Sequence, residues 1–254
     1  MKPATSPPSD PGHRAAFIFI HGLGDHGSGF ASSSSSAIQP HLRANLCLDI
    51  ADQFQAANKL SHMQWIFPHA LENRDAMQPA WYAPSPLSPF ASSRPELDDP
   101  EDEDGMKASM SYIVGLIDGL VSKGIPPNRI VLGGFSQGCA MTLLTGLTSR
   151  AYAGRLAGLV GLSGYLPLAE KIQQFRAEAG LPEVAGDVPM FLVRGTRDIL
   201  VPKRYLRICL ETLRKVGADE GSIEVHEYDI GHVVSPQELR DLCAWLERVV
   251  PALE

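Results

Sequence analysis

The stretch Arg129-Ile130-Val131-Leu132-Gly133-Gly134-Phe135-Ser136-Gln137-Gly138-Cys139-Ala140-Met141 decides how this chain is read. Its first four residues read as a buried strand, and the segment from Gln137 through Ala140, Met141, Leu144 and Leu147 carries helical spacing. Between them lies Gly134-Phe135-Ser136-Gln137-Gly138, a Gly-x-Ser-x-Gly pentad. In a chain with 23 glycines such a pentad arises readily by chance, so its flanks decide its meaning. A strand before it and a helix after it make it a nucleophile elbow. The sharp turn forces strained backbone on the serine, and glycines on both sides avoid the Cβ clashes that would follow. The helix start also sets backbone N–H groups and a positive dipole end beside the serine oxygen.

Outward from the elbow, short apolar runs recur at Ala15–Ile20, 64–67, 129–132, 157–162, 188–193 and Ile223–Tyr228, each read as a buried strand. Helical patterns lie between them. Met106, Met110, Ile113, Ile117 and Leu120 form one stripe, preceded by acidic residues and stopped by Gly124 and Pro126. Tyr205, Leu206, Cys209, Leu210 and Leu213 form another, and Ser235-Pro236-Gln237-Glu238 reads as a capping box before Leu239, Leu242, Cys243 and Leu246. Strands alternating with helices predict an α/β fold with a mostly parallel central sheet covered by helices on both faces. With 254 residues and 44% hydrophobic composition there is material for one substantial core. The expected organisation is a flexible tail at 1–14 and a single domain at 15–254, with loop or lid insertions at about 31–60 and 71–105.

A serine hydroxyl attacks only when a base removes its proton, and the base needs a carboxylate to hold its tautomer. In this fold the order along the chain is serine, acid, histidine. Asp198, just past the fifth strand in Arg194-Gly195-Thr196-Arg197-Asp198, and His232, just past the sixth, supply both in order. Loops at the carboxyl ends of parallel strands are where such sheets gather active sites. Asp187 precedes its strand and belongs to the opposite edge; Asp229 is the closer rival for the acid role.

Gly22-Leu23-Gly24-Asp25-His26-Gly27 matches a dinucleotide-binding glycine pattern, with Asp49 near the spacing of a ribose-binding acid. The serine run 32–36 and Pro40 that follow are a poor start for a pyrophosphate-binding helix. The alternative is a loop that contributes an oxyanion donor, with Leu23 giving one backbone N–H and Gln137 the other. His13, His21, His26, His41, His62, His69 and His226 show no zinc-like spacing with a glutamate and read as surface or core histidines. The acidic run 98–104 reads as a solvated loop at a helix start. No cofactor and no metal are expected. A net charge of −7 gives no electrostatic reason to bind nucleic acid. Cys47, Cys139, Cys209 and Cys243 lie far apart, which suits a reduced compartment. The Pro- and Ser-rich start lacks a signal-peptide apolar stretch, and no run is long enough to span a bilayer, so a cytoplasmic location is expected.

His21-Gly22-Leu23-Gly24-Asp25, Ile66-Phe67-Pro68-His69-Ala70, Gly133-Gly134-Phe135-Ser136-Gln137-Gly138, Leu162-Ser163-Gly164-Tyr165-Leu166-Pro167 and Gly231-His232 together resemble the acyl-protein thioesterases and related carboxylesterases. The resemblance runs from about Phe17 to the C-terminus. It implies an α/β-hydrolase without cofactor that cleaves S-palmitoyl thioesters, lysophospholipids or small carboxylic esters. It places Ser136, Asp198 and His232 in a catalytic triad and Leu23 and Gln137 at the oxyanion hole. Acyl substrates, among them S-acylated proteins, and a homodimer also follow from it. Trp81, Tyr165 and Leu166 are expected to line the acyl pocket. The chain departs from the family in a longer 31–60 stretch with a helix-like piece through Leu48, Phe54 and Leu60, and in a short, polar 70–81 segment bearing Glu72, Asn73, Arg74 and Asp75. Ala83 and Val233 stand where aspartate and serine are common in the family. A short-chain or biosynthetic carboxylesterase, and a binding protein that has lost catalysis, are the alternative readings.

Overall fold

A computed structural model describes residues 3–7, 15–25, 46–73, 76–84 and 101–253. The serine run 32–36, His13, His26, Gly27, His41, Arg74, Asp75 and the residues 98–100 of the acidic run lie outside the described residues, as do the side chains of Cys47, Leu48 and Asp49.

The strands in chain order are β1 (Ala4–Ser6), β2 (Ala15–Ile20), β3 (Met63–Phe67), β4 (Glu72–Asn73), β5 (Gln78–Pro79), β6 (Ile130–Phe135), β7 (Gly158–Leu162), β8 (Met190–Gly195) and β9 (Ile223–Tyr228). Helices are α1 (Leu46–Ala56), α2 (Glu103–Val121), α3 (Gln137–Thr148), α4 (Ile172–Glu178), α5 (Lys203–Lys215) and α6 (Pro236–Val249). The main sheet runs β1-β3-β2-β6-β7-β8-β9, parallel throughout except for β1, which lies antiparallel to β3. The mostly parallel sheet expected from alternating strand and helix patterns is therefore present.

Alternate residues of each strand feed opposite faces. One face buries Ala16, Ile18, Ile20, Leu132, Leu159 and Leu192 under α2, α3, α4 and α5. The other buries Phe17, Phe19, Trp65, Val131, Val160 and Phe191 under α1 and α6, with Ile50, Phe54, Leu242 and Trp245 closing the layer. Helix α3 is buried along its whole length and explains why its sequence is apolar nearly all round. At β6 the strand extends to Phe135, three residues past the apolar run, because Gly133 and Gly134 continue the parallel ladder to β2 and β7. On α5 the buried stripe is Tyr205, Ile208, Cys209, Thr212 and Leu213, with Leu206 and Leu210 only half-buried.

Two expectations need correction. Within the 1–14 tail, Ala4–Ser6 is an ordered edge strand, because β3 has a free backbone edge that its N–H and C=O groups can pair with. β9 is half-exposed, as the last strand of the sheet with a neighbour on one side only. The helix-like part of the 31–60 insertion is α1, and it packs Phe54 on Trp65 with ring centroids 5.7 Å apart. The short segment after Ala70 is a small β4–β5 hairpin. Among the described residues no helix is long and apolar enough to cross a membrane.

The capping box at α6 forms as the spacing predicts: Glu238 N–H donates to Ser235 Oγ at 3.1 Å and Ser235 N–H donates to Glu238 Oε2 at 3.2 Å. Its carboxyl is fully buried and its other oxygen has no hydrogen-bond partner among the described residues. Burial pushes the Glu238 carboxyl up to about 7, against an ordinary 4.5, while the Ser235 amide pulls it down. The folded chain thus keeps the proton that the unfolded chain gives up, and stability falls as pH rises from about 4.5 to about 7. We predict that Glu238→Gln removes a loss on the order of 1–3 kcal/mol over that interval. Urea unfolding at several pH values checks it; the same pH slope in variant and wild type would contradict it.

Candidate active site

The site forms at the carboxyl ends of β2, β6, β8 and β9. Ser136 is the residue between β6 and α3, and it adopts φ 55° and ψ −116°, a conformation that L-residues avoid. The backbone around it leaves no alternative. A Cβ on Gly138 would stand 2.0 Å from the Ile20 carbonyl oxygen, and one on Gly134 would stand 2.4 Å from the Gly138 carbonyl carbon. Ser136 N–H continues the sheet by donating to the Leu162 carbonyl at 2.9 Å, and its own carbonyl accepts Ala140 N–H to start the helix.

The structure brings Ser136, His232 and Asp198 into one line. His232 Nε2 lies 2.9 Å from Ser136 Oγ, and His232 Nδ1 lies 2.8 Å from Asp198 Oδ2. The Asp198 side chain is 1% exposed, and its second oxygen accepts the N–H groups of Leu200 and Val201, both at 2.9 Å. Burial pushes the pKa of this carboxyl up, but the hydrogen bonds from His232, Val201 and Leu200 together outweigh it and hold the group below its ordinary value. The carboxylate is therefore ionised at neutral pH. Phe135 packs against the His232 ring with centroids 4.8 Å apart. Loops 195–198 and 229–232 approach each other backbone to backbone: a Cβ on Gly195 would meet the Ile230 and Gly231 carbonyl oxygens at 2.5 Å.

The rival acids fall elsewhere. Asp229 points to solvent, where it pairs with Arg197 at 3.0 Å and accepts from Thr196 Oγ1. Asp187 is exposed at the amino end of β8, on the far edge of the sheet.

The glycine loop lies directly against the serine. A Cβ on Gly22 would stand 3.3 Å from Ser136 Cβ, which sets Leu23 beside that serine. Gly24, at φ 75°, donates its N–H to the Pro79 carbonyl at 2.9 Å. Gln137 is the first residue of α3, so its N–H has no intrahelical acceptor. His21 is a hydrogen-bonded core histidine at the start of this loop: Nδ1 donates to the Gly22 carbonyl at 2.8 Å and Nε2 accepts Ala70 N–H at 3.2 Å, as the neutral ring allows.

Of the residues expected to line an acyl pocket, Trp81 is 3% exposed and its indole N–H donates to the His21 carbonyl at 2.9 Å. Leu166 is buried in the core, and Tyr165 is half-buried with its hydroxyl 2.8 Å from that of Tyr82. The acidic stretch includes Asp102, which caps α2 through Gly105 N–H and also accepts Ala83 N–H, while Glu101 accepts Leu168 N–H. Asp102 thereby ties Ala83 to the start of α2. Among the described residues no cluster of His, Cys, Asp and Glu could hold a metal ion.

A parallel sheet with a serine on a strained strand-to-helix turn, and with an acid and a histidine arriving later in the chain, defines an α/β-hydrolase. The sequence model of the phospholipase/carboxylesterase family matches residues 47–250, and the chain belongs to that family. It is 30% identical to acyl-protein thioesterase 1 of Yarrowia lipolytica over 251 residues, covering 96% of each chain. Acyl-protein thioesterase 1 of Schizosaccharomyces pombe is 36% identical over 195 residues, 75% of this chain and 71% of that protein. The crystal structure of Arabidopsis thaliana SOBER1 superposes with a TM-score of 0.71 at 27% identity, covering 93% of this chain and 99% of that one. Membership makes the chain a hydrolase of the esterase and thioesterase class.

Replacing Asp198 by Asn should lower kcat by about 10⁴ through the wrong histidine tautomer, whereas Asp229→Asn should stay within about twofold. Steady-state ester hydrolysis by the two variants checks this. A large loss in Asp229→Asn with a small one in Asp198→Asn would move the acid to Asp229.

Proposed function

We propose that this chain cleaves carboxylic thioesters and esters through an acyl-enzyme on Ser136, in the manner of the acyl-protein thioesterases it resembles. The observation that carries the proposal is the unbroken line from Asp198 through His232 to Ser136, at 2.8 and 2.9 Å. Ser136 Oγ attacks the acyl carbonyl carbon while His232 Nε2 takes its proton. Asp198 orients the ring and stabilises the imidazolium. The tetrahedral oxyanion sits between the Leu23 and Gln137 N–H groups, each donor being worth about 10² to 10³ in turnover. Collapse expels the thiol or alcohol, which leaves with the proton from His232. Water then repeats the sequence on the acyl-Ser136 ester and releases the carboxylic acid.

The relatives named as acyl-protein thioesterases support S-acylated proteins as the substrate class. A second reading, a carboxylesterase for short acyl groups, is favoured by the burial of Trp81 and Leu166 and by the hydrogen bond that engages the Trp81 indole, which leave little of either side chain to face a long acyl chain. We place the work in the cytoplasm, where Cys139, Cys209 and Cys243, all free, stay reduced. Pairing into homodimers rests on the family resemblance alone.

Ser136→Ala should lose nearly all hydrolysis of p-nitrophenyl esters, and activity near wild type would sink the proposal. A profile of kcat/KM against acyl length, run on matched oxygen and sulfur esters, separates the two readings. A maximum at long-chain thioesters supports the thioesterase; a maximum at acetyl or butyryl oxygen esters supports the short-chain enzyme.

A further inference from the structure

The Gln137 side chain does something that its backbone role does not require. Its Oε1 accepts the N–H of Trp81 at 2.9 Å, and its Nε2 donates to the carbonyl of Tyr82 at 2.9 Å. A carboxamide can accept and donate from one planar group, and both bonds here are buried. Trp81 in turn passes the constraint on. Its indole N–H holds the His21 carbonyl, its own carbonyl accepts the Ser109 hydroxyl, and its ring stacks near Tyr112 with centroids 6.3 Å apart. His21 leads straight into Gly22 and Leu23. The two proposed backbone donors of the oxyanion hole sit on separate elements, the loop after β2 and the start of α3, and among the described residues no hydrogen bond joins Leu23 to Gln137 directly.

We infer that the Gln137 carboxamide and the Trp81 indole form a positioning bridge that fixes the Leu23 N–H relative to the Gln137 N–H, so that both converge on one oxyanion. The bridge runs Gln137 side chain, Trp81 backbone and ring, His21 carbonyl, Leu23 loop. Trp81 thereby acts through the oxyanion loop and does not need to touch the acyl chain. This inference rests on the acyl-enzyme reading above. It gives Gln137 two separable duties: the backbone N–H is the donor, and the side chain sets the distance to its partner. Substituting the side chain leaves the N–H in place, which makes the second duty testable alone.

The test uses Gln137→Met, which keeps length and apolar bulk but removes both hydrogen bonds, and Trp81→Phe, which keeps an aromatic ring but removes the bond to His21. Each is assayed for kcat, KM, the pH midpoint of kcat, and affinity for an alkyl trifluoromethyl ketone, whose hemiketal oxyanion on Ser136 needs both donors. The expected result is a kcat lower by about 10- to 100-fold, below the loss of a whole donor, with KM within about threefold and the pH midpoint unmoved. Ketone affinity should fall by the same factor as kcat. The double variant should lose little more than the worse single one, because the two groups serve one bridge. Wild-type kcat in both singles, additive losses in the double, or losses that track only the folded fraction would each overturn the bridge while leaving the hydrolase reading intact. Turnover that survives Ser136→Ala would overturn both.

Discussion

Backbone touches backbone where β6 turns into α3, and the site depends on that contact. Gly138 sits so close to the Ile20 carbonyl, and Gly134 so close to Gly138, that neither position has room for a methyl group. Strand β2, strand β6 and helix α3 therefore meet without side chains between them. Ser136 must then turn the chain in a single residue, at φ 55°. Strain of this kind costs about 1–3 kcal/mol and persists only where surrounding packing overdetermines it. Here the packing is α3 itself, buried over its whole length between the sheet and α2, α4 and α5. The strained serine projects its hydroxyl out of the turn, beside a helix N-terminus whose N–H groups have no intrahelical partners.

The same device is used again at the other end of the relay. Gly195 ends β8 against the carbonyls of Ile230 and Gly231, so the loops that carry Asp198 and His232 come as close as main chains can. Asp198 is then fixed by two amides of its own loop, and the single remaining direction for its carboxylate is His232. Geometry of this sort gains more from preorganisation than from any one bond. It also explains how Asp198, His232 and Ser136 come together from three separate loops, with no disulfide or candidate metal cluster among the described residues to hold them.

Much of this was legible in the sequence because it follows short-range rules. Apolar runs of strand length gave the sheet, and the Ser235 capping box gave the start of α6. The order Ser136, Asp198, His232 singled out the relay, and the placement of Asp198 past its strand distinguished it from Asp187. What escaped was set by tertiary contacts. Ala4–Ser6 has no strand-like composition and becomes a strand only because β3 offers an edge. Trp81 reads as a ligand-contacting aromatic, yet its surroundings are His21, Ser109 and Gln137, contributed by elements 28 to 60 residues away in the chain. The anchoring role of Asp102 was also missed, although its position immediately before the α2 stripe, where an aspartate is a natural N-cap, was the signal for it.

The central claim is that Ser136 is the nucleophile and that His232 activates it. Reaction with a fluorophosphonate probe, followed by peptide mass spectrometry, tests this most directly. One adduct is expected, on the peptide carrying Ser136, formed rapidly in the wild type, absent in Ser136→Ala and slowed by orders of magnitude in His232→Ala. An adduct on another residue, or labelling of Ser136 at an unchanged rate without His232, would contradict it.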